Sequence, residues 1–176
     1  MNLTRPLPEG IYLKDKFYRL NTDFKTWLKI DEIIQSDIEH EEEKLAFILS
    51  LAYFSSFPDD INDALSGVLD FYSMYKKTSQ KSTKKIYSFE KDAPFIFSAF
   101  RSQYGIDLFN TDMHWWKFKS LFDSIDENTT FGKIVRYRAI NIDDIKDKSK
   151  KNFIRKMKKL YSLDEEADIA NALFAL

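Results

Sequence analysis

The chain has 176 residues, a formal net charge of −1, 44% apolar residues and no cysteine. The lack of cysteine excludes disulfides, thiolate catalysis and Cys-ligated metal sites, and the near-neutral charge excludes a molecule that is basic throughout. Only four Gly and four Pro argue against a turn-rich β-sandwich or barrel, and no apolar run reaches the ~20 residues of a membrane span. Since the N-terminus also lacks the apolar core of a signal peptide, we expect a cytoplasmic, mainly α protein.

The first part of the chain alternates apolar and polar residues, which is typical of paired strands. Short runs at 11–13 and 17–20 flank Lys14, Asp15 and Lys16. Residues 10–21 are therefore predicted to form a small β-hairpin. Because an isolated hairpin is marginal in water, we expect it to pack on helices.

Helical periodicity begins after the hairpin. Asn21, Thr22 and Asp23 offer N-cap oxygens for a first helix, and the glutamates at 39 and 41–43 favour the start of a second. In the second helix, Phe47, Leu51 and Phe54 add another apolar strip to the main one, so we expect this helix to be buried on two sides. A proline then ends it, and the apolar stripe of residues 61–75 predicts a third helix, antiparallel to the second.

Residues 76–85 carry lysines among small polar residues and are predicted to form a mobile basic loop. A capping box at Ser162 predicts a terminal helix over 162–176. The whole chain, 1–176, is thus predicted to be a single-domain helical bundle of about seven helices. Four helices are predicted between the loop and the terminal helix. One runs from Asp92 to Gly105 and one from Asp143 and Asp144 to Tyr161, while the other two begin at a cap at Thr111 or Asp112 and at a cap at Asn128 or Thr129.

The sequence contains no arrangement of residues that is typical of catalysis. His114 falls among apolar residues of the tryptophan-containing helix, so a histidine whose ring nitrogens are satisfied inside the fold is favoured over a catalytic one. His40 is distant in sequence, which makes a metal site a weak interpretation. The glutamates at 41–43 point in different directions around a helix and cannot pair as acid and base. We therefore expect a non-enzyme with no catalytic, cofactor-binding or metal-binding residues.

Two side chains have both a core interpretation and an interface interpretation. Trp116 lies off the main apolar stripe of its helix, so it either packs in the core or contacts another molecule. Arg138 returns to the apolar face of its helix, seven residues after Phe131. It either pairs with an acid from a neighbouring element or acts as a charged anchor at an interface.

The C-terminal third of the chain contains two further candidate interfaces. A basic amphipathic helix over 146–159 is either a solvated face or a surface for an acidic partner, nucleic acid or a membrane. Its apolar side is predicted to include Phe153, and its candidate contact residues are Lys148, Lys151, Arg155, Lys158 and Lys159. The apolar C-terminus either docks on its own domain or inserts into a partner through Leu173, Phe174 and Leu176.

Five stretches of the chain together resemble one family. They are Thr22-Asp23-Phe24-Lys25-Thr26-Trp27, Tyr87-Ser88-Phe89-Glu90-Lys91-Asp92-Ala93, Ala99-Phe100 with Tyr104-Gly105-Ile106-Asp107-Leu108, His114-Trp115-Trp116-Lys117-Phe118, and Phe131-Gly132-Lys133-Ile134 with Tyr137-Arg138. In this order they resemble the "gene product fifteen" family of bacteriophages and prophages of Gram-positive bacteria. The resemblance extends over residues 11–161, and its most specific part is His-Trp-Trp-Lys-Phe.

The resemblance implies a function in phage tail assembly. Its expected partners are the tape measure protein, which the protein would coat as a chaperone, and the major tail protein. It also implies a homo-oligomer in the host bacterial cytoplasm that is absent from the finished virion, with no membrane partner and no catalytic residues to carry over. The alternatives are a minor structural or head–tail connector protein and a nucleic-acid-binding regulator that uses the basic helix.

Overall fold

The structure, a computed structural model, describes residues 2–36, 40–75 and 85–163. These residues form a mainly α fold with one small antiparallel hairpin, as the sequence predicts. Within the described residues the strands are β1 (Gly10–Leu13) and β2 (Lys16–Arg19). The helices are α1 (Phe24–Gln35), α2 (Glu41–Ala52), α3 (Ile61–Tyr72), α4 (Ala93–Tyr104), α5 (Trp115–Phe122), α6 (Thr130–Ala139) and α7 (Lys148–Leu160), with a short 3-10 turn at Ile142–Asp144.

Several predictions fall on residues outside this description. They are the loop 76–85 except for Lys85, the helix 162–176 from residue 164 onward, and the contact residues Leu173, Phe174 and Leu176.

The chain divides into two compact units, and the division is not continuous in sequence. The first unit combines Met1–Lys81 with Asn110–Asp123, and the second combines Ser82–Phe109 with Ser124–Leu176. Helix α5 therefore belongs to the same unit as the hairpin and α1–α3, whereas α4, α6 and α7 form the other. The single-domain organisation of 1–176 stays a prediction.

In the first unit the hairpin packs on α3 at a glycine. A two-residue turn joins the strands, with φ of 47° at Lys14 and 66° at Asp15, so both turn residues are left-handed, as type I′ hairpins require. A Cβ placed on Gly67 of α3 would lie 2.1 Å from Cδ1 of Ile11. A side chain at position 67 would therefore require the Ile11 side chain to shift, so glycine lets the hairpin pack closely on α3.

Stacked aromatic rings fill the core of the first unit. The ring of Trp27 lies 4.9 Å from that of Phe71 and 6.1 Å from that of Trp115. Both indoles are fully buried, and each donates its N–H to a backbone carbonyl, at Asn21 and Tyr72 respectively. Burial of rings of this size with their polar atoms satisfied is a main source of stability in a domain.

In the second unit α6 packs against both α4 and α7. Helix α7 begins at Lys148 with Asp147 as its N-cap, and the Asp147 carboxylate accepts a hydrogen bond from the Lys150 amide. The prediction that Asp143 and Asp144 open this helix is wrong, because these two residues belong to the preceding 3-10 turn.

Candidate functional site

His114 is the N-cap of α5, so the prediction that Thr111 or Asp112 caps this helix is wrong. Its Nδ1 accepts a hydrogen bond of 3.0 Å from the Trp116 amide, and its Nε2 lies 3.0 Å from the Pro8 carbonyl. A neutral ring with its proton on Nε2 satisfies both contacts. Burial lowers the pKa of His114 below its ordinary value, and the bond to Pro8 opposes this shift. The interpretation of satisfied ring nitrogens is confirmed.

Trp116 packs inside the first unit. Its side chain is 5% exposed, and its indole N–H donates to the Phe71 carbonyl at 2.9 Å. The Tyr75 ring closes over it edge-on at 5.7 Å. These contacts agree with the core interpretation. A side chain this deeply buried does not agree with the alternative that Trp116 faces another molecule.

Arg138 forms a buried ion pair in the second unit. Its guanidinium donates to both carboxylate oxygens of Asp92, at 2.6 and 2.9 Å, and to the carbonyls of Ile86 and Tyr161. The side chains of Arg138 and Asp92 are 8% and 1% exposed. The interpretation of Arg138 as the partner of a neighbouring acid is confirmed, and so little exposed surface does not agree with an interface anchor.

The buried face of helix α7 differs from the predicted one. Ile154 is its buried residue, Lys151 and Lys158 are half-buried beside it, and Phe153 is 51% exposed. The Lys158 ammonium donates to the Arg138 carbonyl at 2.8 Å. The expectation that Phe153 belongs to the apolar side of the helix is therefore wrong.

The predicted basic contact residues of α7 divide between its two faces. Lys148, Arg155 and Lys159 are exposed, while Lys151 and Lys158 lie towards the buried side. The exposed face also contains two lysines that the sequence reasoning missed, Lys150 and Lys156, each one turn from Phe153. Once Ile154 is known to be buried, helical spacing places these residues on the outer face.

The hairpin and the residue Phe54 beside it present an exposed surface, here called the exposed aromatic strip. It consists of the rings of Tyr12, Phe17 and Phe54 and the side chain of Arg19. Tyr12 lies directly opposite Phe17, with 5.1 Å between the ring centroids. The Phe17 ring extends over Gly10, because a Cβ at Gly10 would lie 2.9 Å from its Cζ. Gly10 in turn is the cross-strand partner of Arg19.

Phe54 completes this aromatic strip. Its amide donates to the Arg19 carbonyl at 3.0 Å, and the Arg19 guanidinium lies over its ring at 4.8 Å. Tyr12 and Phe54 are 75% and 65% exposed. Because α2 ends at Ala52, Phe54 is not part of that helix, and Phe47 within it is also exposed, so burial of α2 on two sides is a wrong prediction.

The described residues contain no group of three or more His, Asp or Glu side chains that could hold a metal ion. Among them there is also no helix of sufficient length and apolarity to span a bilayer.

Comparison with protein families gives a match over most of the chain. The family model described as "Bacteriophage Gp15 protein" matches residues 3–163. Searches of the curated proteins and of the solved structures give no significant match. Because the family model covers most of both units, including His114 and the Asp92–Arg138 pair, the chain belongs to the bacteriophage Gp15 protein family.

Proposed function

We propose that this phage protein is a non-enzymatic tail assembly chaperone that binds the tape measure protein in the host cytoplasm. In this proposal it acts as a homo-oligomer and leaves before the virion is complete. Family membership supports a phage function, and the resemblance described above supplies the tape measure protein as the client.

The exposed aromatic strip is the observation that supports client binding best. Tyr12, Phe17 and Phe54 lie on one continuous surface of the first unit, while the rings of its core are buried. Exposed aromatic rings held by a rigid backbone are typical of protein interfaces, because they bury much area with little loss of side-chain entropy. Arg19 adds a cation beside the ring of Phe54.

The chemistry of this strip suits a helical client. An amphipathic helix presents apolar side chains at every third or fourth position, and it binds by placing that stripe against an apolar surface. A tape measure segment that has not yet been covered by tail subunits would expose such stripes. The strip would shield them and so keep the client soluble.

Co-expression with the tape measure protein from the same phage tests this proposal. We expect the soluble fraction of the client to rise with the wild-type protein and to fall with a Tyr12→Ser/Phe54→Ser variant. Truncation of anchors of this kind costs about 1–3 kcal/mol each, so client affinity should fall at least about tenfold. The matched control is Leu3→Ser/Phe109→Ser, which removes two exposed apolar side chains, 91% and 76% exposed, outside the strip.

Two results would contradict the proposal. One is a client whose solubility is the same with and without the wild-type protein. The other is mass spectrometry that finds the protein in purified virions at a fixed copy number, which would favour the minor structural or connector alternative.

A further inference from the structure

The charged side chains are distributed unequally between the two units. The described residues of the first unit carry fourteen Asp and Glu against nine Lys and Arg, whereas those of the second carry eight against fourteen. The net charge of −1 for the whole chain therefore hides an acidic unit and a basic unit. Surfaces of opposite charge on one chain allow two copies to attract each other through different patches.

Helix α7 concentrates the basic charge of the second unit. Its thirteen residues include seven Lys or Arg and no Asp or Glu. On its exposed face Phe153 lies one turn from both Lys150 and Lys156, and the Phe153 ring rests edge-on against Tyr137 at 6.0 Å. This basic face thus presents an aromatic ring, held by a neighbouring ring, among cations.

Helix α2 presents the complementary arrangement in the first unit. Glu41, Glu42 and Glu43 are all exposed in its first turn. Phe47, 56% exposed, lies one turn after Glu43 on the same side of the helix. The start of α2, here called its acidic face, thus presents three exposed carboxylates around one turn, with the Phe47 ring next to that of Glu43.

We propose that the protein self-associates head to tail, with the basic face of α7 in one copy bound to the acidic face of α2 in the next. Because the two faces differ, every added copy leaves one face of each kind available, and the contact can repeat. Charge complementarity steers the encounter, while the Phe153 and Phe47 rings supply apolar area between the charged side chains. This inference rests on the self-association included in the proposed function and specifies its surfaces.

Charge reversal on each face tests this inference with the full chain. One variant is Lys150→Glu/Lys156→Glu and the other is Glu42→Lys/Glu43→Lys. In sedimentation velocity at 50 mM NaCl we expect the wild type to associate and each variant alone to bind itself at least tenfold more weakly. A mixture of the two variants should associate again, because each reversed face then meets a reversed partner.

Two controls separate this effect from net charge and from misfolding. Lys85→Glu/Lys133→Glu changes the net charge of the second unit equally, at exposed residues outside α7, and should associate like the wild type. Glu42→Gln/Glu43→Gln removes the acidic charge without placing cations in the first turn of α2. Raising the salt to 500 mM should dissociate the wild type, because the Debye length falls from above 10 Å to below 5 Å.

The inference is overturned by a wild type that is monomeric at 50 mM NaCl, by reversal variants that associate normally, or by a mixture that fails to associate. A monomer whose basic face binds duplex DNA in a salt-dependent manner would also overturn it and assign α7 to nucleic acid. The client assay with Tyr12→Ser/Phe54→Ser is independent of these measurements. A wild-type protein that self-associates but leaves the solubility of the client unchanged would therefore contradict the proposed function alone.

Discussion

Replacement of Arg138 by Leu should strongly destabilise the second unit. The change leaves the Asp92 carboxylate, 1% exposed, without its cation and with the Ser88 amide as a remaining donor. Removal of one partner from a buried ion pair costs about 3–5 kcal/mol, because an uncompensated charge stays in a poorly solvated site. The carbonyls of Ile86 and Tyr161 also lose the guanidinium as a donor. We therefore expect a loss of about 4 kcal/mol in the free energy of unfolding.

The size of this effect should depend on geometry as well as on charge. Arg138→Lys keeps the cation, but a single ammonium cannot reproduce the paired bonds of 2.6 and 2.9 Å to Asp92, so we expect a loss of about 2 kcal/mol. Asp92→Leu/Arg138→Leu removes both charges and should be more stable than Arg138→Leu alone. Asp92 makes no side-chain cap bond to α4, so its replacement removes no cap.

Urea unfolding followed by far-UV circular dichroism measures these differences, and thermal unfolding supplies a second estimate. For a protein of this length a loss of 4 kcal/mol corresponds to a fall in Tm of about 10 °C. If Arg138→Leu unfolds within 1 kcal/mol of the wild type, or if the double variant is less stable than Arg138→Leu, the argument from a buried charge pair is refuted.

Three further changes test the first unit. Gly67→Ala should lower the free energy of unfolding by about 1–2 kcal/mol, because the new methyl group meets the buried Ile11 side chain. Urea unfolding measures this loss, and an unchanged midpoint would contradict the close packing of Ile11 on Gly67. Lowering the pH from 7 to 5 should lower the Tm of the wild type more than that of His114→Asn, which keeps a capping oxygen. Burial in the fold lowers the pKa of His114 below 6.5. The stability that the neutral ring contributes is therefore fully present above pH 6.5 and is lost as the pH falls through this lowered pKa. Burial raises the pKa of Tyr53 to about 12, so the stability that its neutral hydroxyl contributes is present below pH 10 and lost as the pH rises through 12. In alkaline unfolding, Tyr53→Phe should remove this loss.

The hairpin and most helix starts could be predicted from the sequence because their signals are local. Alternation of apolar residues on both sides of Asp15 indicates the hairpin. The cap candidates at 21–23 and 128–129 mark helices that the structure contains, with Asp23 and Thr129 as the N-caps. The cap at His114 was missed because Asp, Asn, Ser and Thr are the preferred N-cap residues, so nearby Thr111 and Asp112 attracted the prediction.

The orientation of α7 could not be predicted because its lysines are amphipathic. The aliphatic stems of Lys151 and Lys158 cover apolar surface while their ammonium groups reach Asp143 and the Arg138 carbonyl. Apolar periodicity treats such lysines as exposed residues. The predicted buried face of α7 therefore includes Phe153 instead of Lys151 and Lys158. Similarly, spacing places Arg138 on a buried face, but local sequence cannot show that its partner, Asp92, lies 46 residues away.

The Arg138→Leu variant also tests the predicted single-domain organisation, because the protein's tryptophans report on one unit. Trp27, Trp115 and Trp116 all belong to the first unit, whereas the ion pair lies in the second. Circular dichroism detects helices in both units. If 1–176 unfolds as one domain, the fluorescence and dichroism transitions of the variant should shift together to lower urea. A fluorescence transition that stays at the wild-type midpoint while the dichroism shifts would show that the units unfold separately, and the single-domain prediction would fail.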